Sequence, residues 1–254
     1  MRRILPVLLA ALAACAVLAA EPPATAPAAL AAARELYTAR RDAEAQAAFE
    51  RLLAADPANH EAVYHLGRLA KRRGDWPAVA KFYERCTVLA PANALYWADL
   101  GEAYGKLAGK AGIFEQLGLA RKCRTALEKA IALAPDALDY RQGLVEFYEK
   151  APGIAGGGRD KALAQATEIA KRDPYAGAMT TGGIQTRARQ WAAAEAAFRA
   201  AAQARPTAPE PHVSLGDLFA RRGDPARARA AYQEALRLAP QFKPAAEALA
   251  KLKP

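Results

Sequence analysis

Six prolines set the terms for this chain. Each closes a phrase of similar make-up: "LLAADP", "CTVLAP", "AIALAP", "EIAKRDP", "AAQARP" and "ALRLAP" end at Pro57, Pro91, Pro135, Pro174, Pro206 and Pro240. Proline removes a backbone donor and fixes φ, so it stops a helix and opens a turn. A stop recurring at intervals of 34, 44, 39, 32 and 34 residues implies one supersecondary unit repeated along the chain. The interior of each phrase agrees. Ten residues after three of the prolines stand Gly67, Gly101 and Gly216, each preceded by leucine. Twelve residues before each proline lies a mostly small side chain: Ala45, Val79, Cys123, Ala162, Ala194 and Ala228. Eight before it an aromatic recurs as Phe49, Tyr83, Phe198 and Tyr232.

Within a unit the apolar positions return at intervals of three and four, as at Val63, Leu66, Gly67 and Ala70, so each half reads as an amphipathic helix. Alanine is over-used and β-branched residues are few, which favours closely packed helices over sheets. The phrases "RRGDWPAVA" and "RRGDPARA" put Gly-Asp between the halves, where glycine can take the left-handed conformation that ends a helix. One pair of helices cannot bury both of its faces, so stability requires stacking. The pattern resembles the tetratricopeptide repeat over residues 31–254, with six units and "KPAAEALAKL" as a final capping helix. The resemblance implies an all-α helix-turn-helix solenoid, a right-handed superhelix whose inner groove is lined by the first helix of each unit. Unit five lacks two residues and contains Gly182 and Gly183, so a loosened or bent helix is expected there.

The N-terminus reads differently. "MRRILPVLLAALAACAVLAA" has two arginines, an apolar run and small residues before Glu21, the layout of a cleaved secretory signal. Residues 21–30, "EPPATAPAAL", read as a linker, and residues 31–254 as the repeat domain. A periplasmic or secreted protein is therefore expected, of the exported bacterial type. The alternative is a lipid anchor at Cys15, because "LAAC" resembles a lipoprotein cleavage box. Removal of the leader leaves 34 basic and 26 acidic side chains, net +8. The cations are scattered among alanines, which favours solvation and acidic partners over nucleic acid.

Chemistry-bearing motifs are sparse. "APGIAGGGRDKA" at 151–162 has the glycine spacing of a phosphate loop, but Arg159 and Asp160 occupy the lysine and hydroxyl positions and a helix precedes it. It reads instead as an over-long turn. His60, His65 and His212 are too few and too separated for a metal site. Ser214, the only serine, has no positioned base. No cofactor, metal or catalytic centre is expected. Cys86 and Cys123 read as small apolar fillers, with a stapling disulfide as the alternative.

What remains is a surface for binding a protein or peptide. The first-helix faces offer Tyr64, Arg68, Lys71 and Arg72 in unit two, and Asp99, Glu102 and Lys106 in unit three. Unit four contributes Gln142, Glu146 and Glu149, unit five Arg187, and unit six Asp217 and Arg221. A basic stretch beside an acidic one could orient an extended peptide. Two insertions, ten residues in unit three and five in unit four, fall between the helices of their units and predict a shared ledge along one edge. There Ile113, Phe114 and Leu117 are expected to lengthen the second helix and cover the glycine-rich turn, with partner contact as the alternative.

Overall fold

The computed structural model describes residues 26–252, so the expected leader, Cys15 and any lipid anchor lie outside the described residues. Thirteen α-helices and one 3-10 turn follow one another, with no strand among the described residues. Unit one is α1 (Ala26–Thr38) and α2 (Asp42–Ala55), and unit two is α3 (His60–Arg73) and α4 (Trp76–Leu89). Unit three is α5 (Ala94–Ala108) and α6 (Ile113–Leu133). Unit four is α7 (Leu138–Lys150), the 3-10 turn Gly153–Ala155 and α8 (Arg159–Ala170). Units five and six are α9 (Pro174–Arg187) with α10 (Trp191–Ala204), and α11 (Glu210–Arg221) with α12 (Pro225–Leu238); α13 (Lys243–Lys251) closes the stack. Helices pack chiefly on their neighbours in sequence, as in a solenoid. The first helix starts at Ala26, five residues inside the stretch read as linker.

One packing rule runs through five of the six units. A small residue on the first helix admits a large one from the second, sixteen residues later when no insertion intervenes. A Cβ built on Gly67 would lie 2.5 Å from the Tyr83 ring, on Gly182 2.4 Å from Phe198, and on Gly216 2.3 Å from Tyr232. Gly101 meets Leu127 at 2.8 Å, its partner displaced by the ten-residue insertion. Unit one holds the same register with Ala33 and Phe49, both fully buried. Unit four reverses the sizes: Val145 occupies the first-helix position and Ala166 the second, and both are fully buried. The six positions twelve before each proline are all buried as well.

Unit five corrects an expectation. Helix α9 runs without a break through Gly182 and Gly183. Gly182 is the unit's packing glycine, reached eight rather than ten residues after its proline because α9 begins at Pro174 itself. The short turn also presses α9 onto α8, where a Cβ on Gly177 would fall 2.3 Å from that of Ala170. Glycine's poor helix propensity, about 1 kcal/mol, is outweighed by contacts only glycine permits.

Between helices, Gly74 and Gly223 have φ of 73° and 74°, and the following Asp75 and Asp224 accept from the amides of Ala78 and Arg227 at 3.1 and 3.0 Å. The equivalent positions in units one and five carry Arg40 (φ 61°) and Arg189 (φ 56°). An L-residue held there costs about 1 kcal/mol.

Candidate functional site: the first-helix strip and the enlarged turns

Six of the thirteen expected groove residues meet one another across successive first helices. Between α3 and α5, Tyr64 donates its hydroxyl to Asp99 at 2.7 Å and Lys71 donates to Glu102 at 2.5 Å. Between α7 and α9, Thr180 donates to Gln142 at 3.0 Å, and Arg187 makes a two-pronged contact to Glu149 at 2.7 and 2.5 Å. Tyr175 continues the series from α9 to Glu210 of α11 at 3.3 Å. The spacing of 31 to 38 residues is one repeat, so these side chains lie in a strip along the first helices. The basic and acidic stretches thus neutralise one another in large part before any ligand arrives. Glu146 pairs with Lys150 of its own helix at 3.1 Å.

The strip is closed at its N-terminal end. Arg72 lies over the Tyr37 ring at 3.6 Å, donates to the Tyr37 carbonyl at 3.0 Å and is ion-paired with Asp42. Arg68 sits 4.8 Å from the Tyr37 ring and 5.8 Å from that of Tyr64. Beneath them His65 is stacked on Phe49 at 4.8 Å and is buried. Burial, reinforced by Arg68 and Arg34, pushes the His65 imidazole down to about 4. Burial also raises the Asp99 carboxyl above its ordinary range, against the hydrogen bond from Tyr64 and the charge of Lys71. Lys106 stands 5.8 Å from the Trp76 ring.

Toward the C-terminus the strip opens. Tyr232 donates to Asp217 at 2.7 Å, and burial, reinforced by that bond and the carboxylate charge, drives the phenol up. Arg221 is exposed and has no carboxylate partner among the described residues. A cleft of about 470 Å³ lies between α11, α12 and α13, lined by Val213, Asp217, Ala220, Tyr232, Glu247 and Lys251, with Leu252 at its rim. The α13 side was missed from sequence. The signal was available: by register α13 is the first helix of an incomplete seventh unit, with Lys251 at the Asp217 position.

The two enlarged turns share an edge, because the 3-10 turn packs on α6. Helix α6 has 21 residues against 14 in α4, so the insertion does lengthen the second helix. Leu117 packs on the central core. The expected cover fails for the other two: Ile113 and Phe114 remain 69% and 89% exposed, since they sit on the first turn of α6, beyond the reach of the core. Ile154 in the neighbouring turn is 77% exposed and was not singled out from the sequence.

The glycine run has no spare amides for phosphate. Gly156 donates to Gly153 at 2.9 Å, Gly157 to Pro152 at 3.1 Å and Gly158 to Tyr148 at 2.8 Å. A Cβ on Gly157 would fall 1.8 Å from the Ala151 carbonyl oxygen, which explains the glycine there. Cys86 and Cys123 are free, buried thiols, each pushed up to about 12 by burial. They are fillers rather than a staple. Among the described residues no cluster of His, Cys, Asp and Glu could hold a metal.

The family model described as tetratricopeptide repeat matches residues 30–94 and 184–242. The stretch between them holds both enlarged turns. Among solved structures, PilW, a widely conserved type IV pilus biogenesis factor, shares the fold with a TM-score of 0.61 at 14% identity, over 88% of this chain and 98% of its own. YrrB, a TPR protein with an unusual peptide-binding site, gives 0.50 at 16% identity, over 88% of this chain and 91% of its own. The APC/C hetero-tetramer Cut9–Hcn1 gives 0.55 at 16% identity; 91% of this chain is covered, and the chain spans 43% of the matched one. No protein of curated function matches the sequence. With the family's repeats at both ends and its helix pairs continuing between them, the chain is a tetratricopeptide-repeat protein.

Proposed function

We propose that the protein is a non-enzymatic interaction scaffold that holds a partner protein or peptide along its first-helix strip, entering at the open C-terminal end. The observation that carries this reading is the cleft between α11, α12 and α13. It combines apolar Val213, Ala220 and Leu252 with Asp217, Glu247 and Lys251, the mixture an extended peptide requires. Arg221 stands one turn beyond Asp217, with no internal carboxylate to satisfy it among the described residues. In units one to three the corresponding groups are spent on one another, so that end serves as a rigid base. Binding of peptide by YrrB and hetero-assembly by Cut9–Hcn1 are in keeping with such a role on this fold.

The apolar leader places the scaffold at a bacterial cell envelope in our reading, released after Ala19 or Ala20 or held by lipid at Cys15. The mass of the mature N-terminus separates the two: a chain starting near Glu21 supports release, and an acylated Cys15 supports an anchored assembly factor.

A photo-crosslinking residue at Arg221 should capture a discrete partner in the native cell. The same residue at Val88, which is 78% exposed on α4, should not. Equal capture at both positions, or capture only at Val88, would count against the strip. Reversing Asp217 and Arg221 together should weaken capture while leaving helicity unchanged.

A further inference from the structure

Five large apolar side chains are exposed among the described residues: Val88, Leu95, Ile113, Phe114 and Ile154. Three of them lie at the two enlarged turns: Ile113 and Phe114 on the first turn of α6, and Ile154 on the 3-10 turn, which packs on α6. Cations surround them. Lys110 lies in the turn before Ile113, and Arg159 and Lys161 open α8 just after the Ile154 turn; all three are exposed. Only Glu115 and Asp160 oppose them within these segments. Arg159 lies 3.9 Å from Asp160, and Lys161 is held to the turn by a bond to the Gly156 carbonyl at 2.9 Å. The N-terminus of α6 has Gly112 as its cap residue and no side-chain cap, so its free amides add positive potential beside Ile113.

From this arrangement we propose that the ledge formed by the turn before α6 and the turn before α8 docks on an anionic lipid surface, with Ile113, Phe114 and Ile154 entering the headgroup boundary. The inference goes beyond the scaffold reading, which uses a different face and stands or falls separately.

Two observations favour lipid over a protein partner. Ile113 and Phe114 are consecutive on a helix and project about 100° apart, a spread that a fluid interface accepts without a matching shape. The apolar groups also protrude, at 69% to 89% exposed, and line neither the cleft at α11–α13 nor that at Ala239–Phe242. Lysine and arginine beside an inserted apolar group are what an anionic leaflet attracts, at about 1 kcal/mol each.

The test must isolate the ledge from the apolar N-terminal segment. A polarity-sensitive fluorophore is attached to the full chain at Phe114→Cys, in a Cys15→Ser background, and compared with the same label at Val88→Cys. The buried Cys86 and Cys123 stay unlabelled. With phosphatidylglycerol vesicles the label at position 114 should shift to the blue and brighten several-fold, and the label at 88 should not. Phosphatidylcholine vesicles should need at least about ten times more lipid for the same response. Adding Ile154→Asp should raise the lipid concentration at half-response by about tenfold or more. Because Ile154 is exposed, that variant should retain the helicity of its parent. The proposal is overturned if the label at 114 keeps its aqueous emission while the chain floats with vesicles. It is overturned equally if both labels respond alike, if the two lipids are equivalent, or if Ile154→Asp has no effect. A ledge that ignores vesicles but shifts on a purified envelope protein would assign it to protein instead.

Discussion

Units two and six are built on the same ten-residue phrase. "LGRLAKRRGD" at 66–75 and "LGDLFARRGD" at 215–224 share seven residues in register. The shared residues do the same work. Gly67 and Gly216 admit Tyr83 and Tyr232, Gly74 and Gly223 end their helices in the left-handed conformation, and Asp75 and Asp224 cap the next. Even an outer contact is repeated: Arg73 donates to Gln46 at 3.1 Å, and Arg222 to the equivalent Glu195 at 3.4 Å. Two of the three differences, Arg68 against Asp217 and Lys71 against Ala220, lie on the first-helix face; the third, Ala70 against Phe219, is buried in both units. Arg72 finds Tyr37 and Asp42 in unit one, whereas Arg221 finds Thr186 and Trp191 at those positions in unit five. His65 is buried among aromatics where unit six has the partly exposed Ser214. Packing has fixed the skeleton, and a few face residues decide whether a unit is closed on itself or left open.

The largest expected break in this comparison is acid. His65 titrates near 4 in the folded protein, below its ordinary 6.5, because burial and the neighbouring Arg34 and Arg68 oppose the charged ring. A depressed histidine contributes stability that is complete above about pH 6.5 and is lost as pH falls from there toward 4. The loss reaches roughly 3 kcal/mol by pH 4. Neighbour-coupled repeats need not unfold together, so the loss should be local. Hydrogen exchange should show amides of α1–α4 losing protection between pH 6.5 and 4 more steeply than those of α11 and α12. In His65→Leu the difference in slope should vanish; an unchanged slope would assign the acid response to another group.

Next in size is the arginine pair. Arg72→Met removes a ring contact, a carbonyl contact and the ion pair with Asp42, in a side chain only 18% exposed. A cost of about 2 kcal/mol is expected in chemical denaturation. Arg221→Met should stay within about 0.5 kcal/mol. If both cost the same, Arg221 has an internal partner and the C-terminal face is not open.

Most of this skeleton could be read in the sequence, because the proline interval and the glycine-to-aromatic register are consequences of close packing, which leaves a periodic trace. The error at Gly182 came from judging a glycine by helix propensity rather than by its register, although counting back sixteen from Phe198 would have placed it. The face was less legible. That Lys71 meets Glu102 and Arg187 meets Glu149 depends on the lateral offset of helices a full repeat apart, and the pattern within one helix does not encode that. Ile113 and Phe114 show the same limit: their spacing says helix, yet only the length by which α6 overshoots its neighbours leaves them in solvent.

The smallest expected effect is the sharpest test of the comparison. Tyr83 and Tyr232 fill equivalent slots, and the Tyr232 hydroxyl reaches the residue after the packing glycine. In unit six that residue is Asp217, which accepts at 2.7 Å. In unit two it is Arg68, a donor turned toward the rings of Tyr37 and Tyr64, and the Tyr83 hydroxyl is buried without a partner. A hydroxyl that lost its water and gained no acceptor works against folding. Tyr232→Phe should therefore cost about 1 kcal/mol, while Tyr83→Phe should be neutral or stabilise by up to about 1 kcal/mol. Arg68→Asn, which offers unit two an acceptor at the position Asp217 fills in unit six, should recover part of that penalty in the Tyr83 background and none in Tyr83→Phe. A double-mutant cycle over Arg68 and Tyr83 measures the difference directly. A coupling near zero would mean that the two hydroxyls, alike in their seat on the packing glycine, are also alike in what surrounds them.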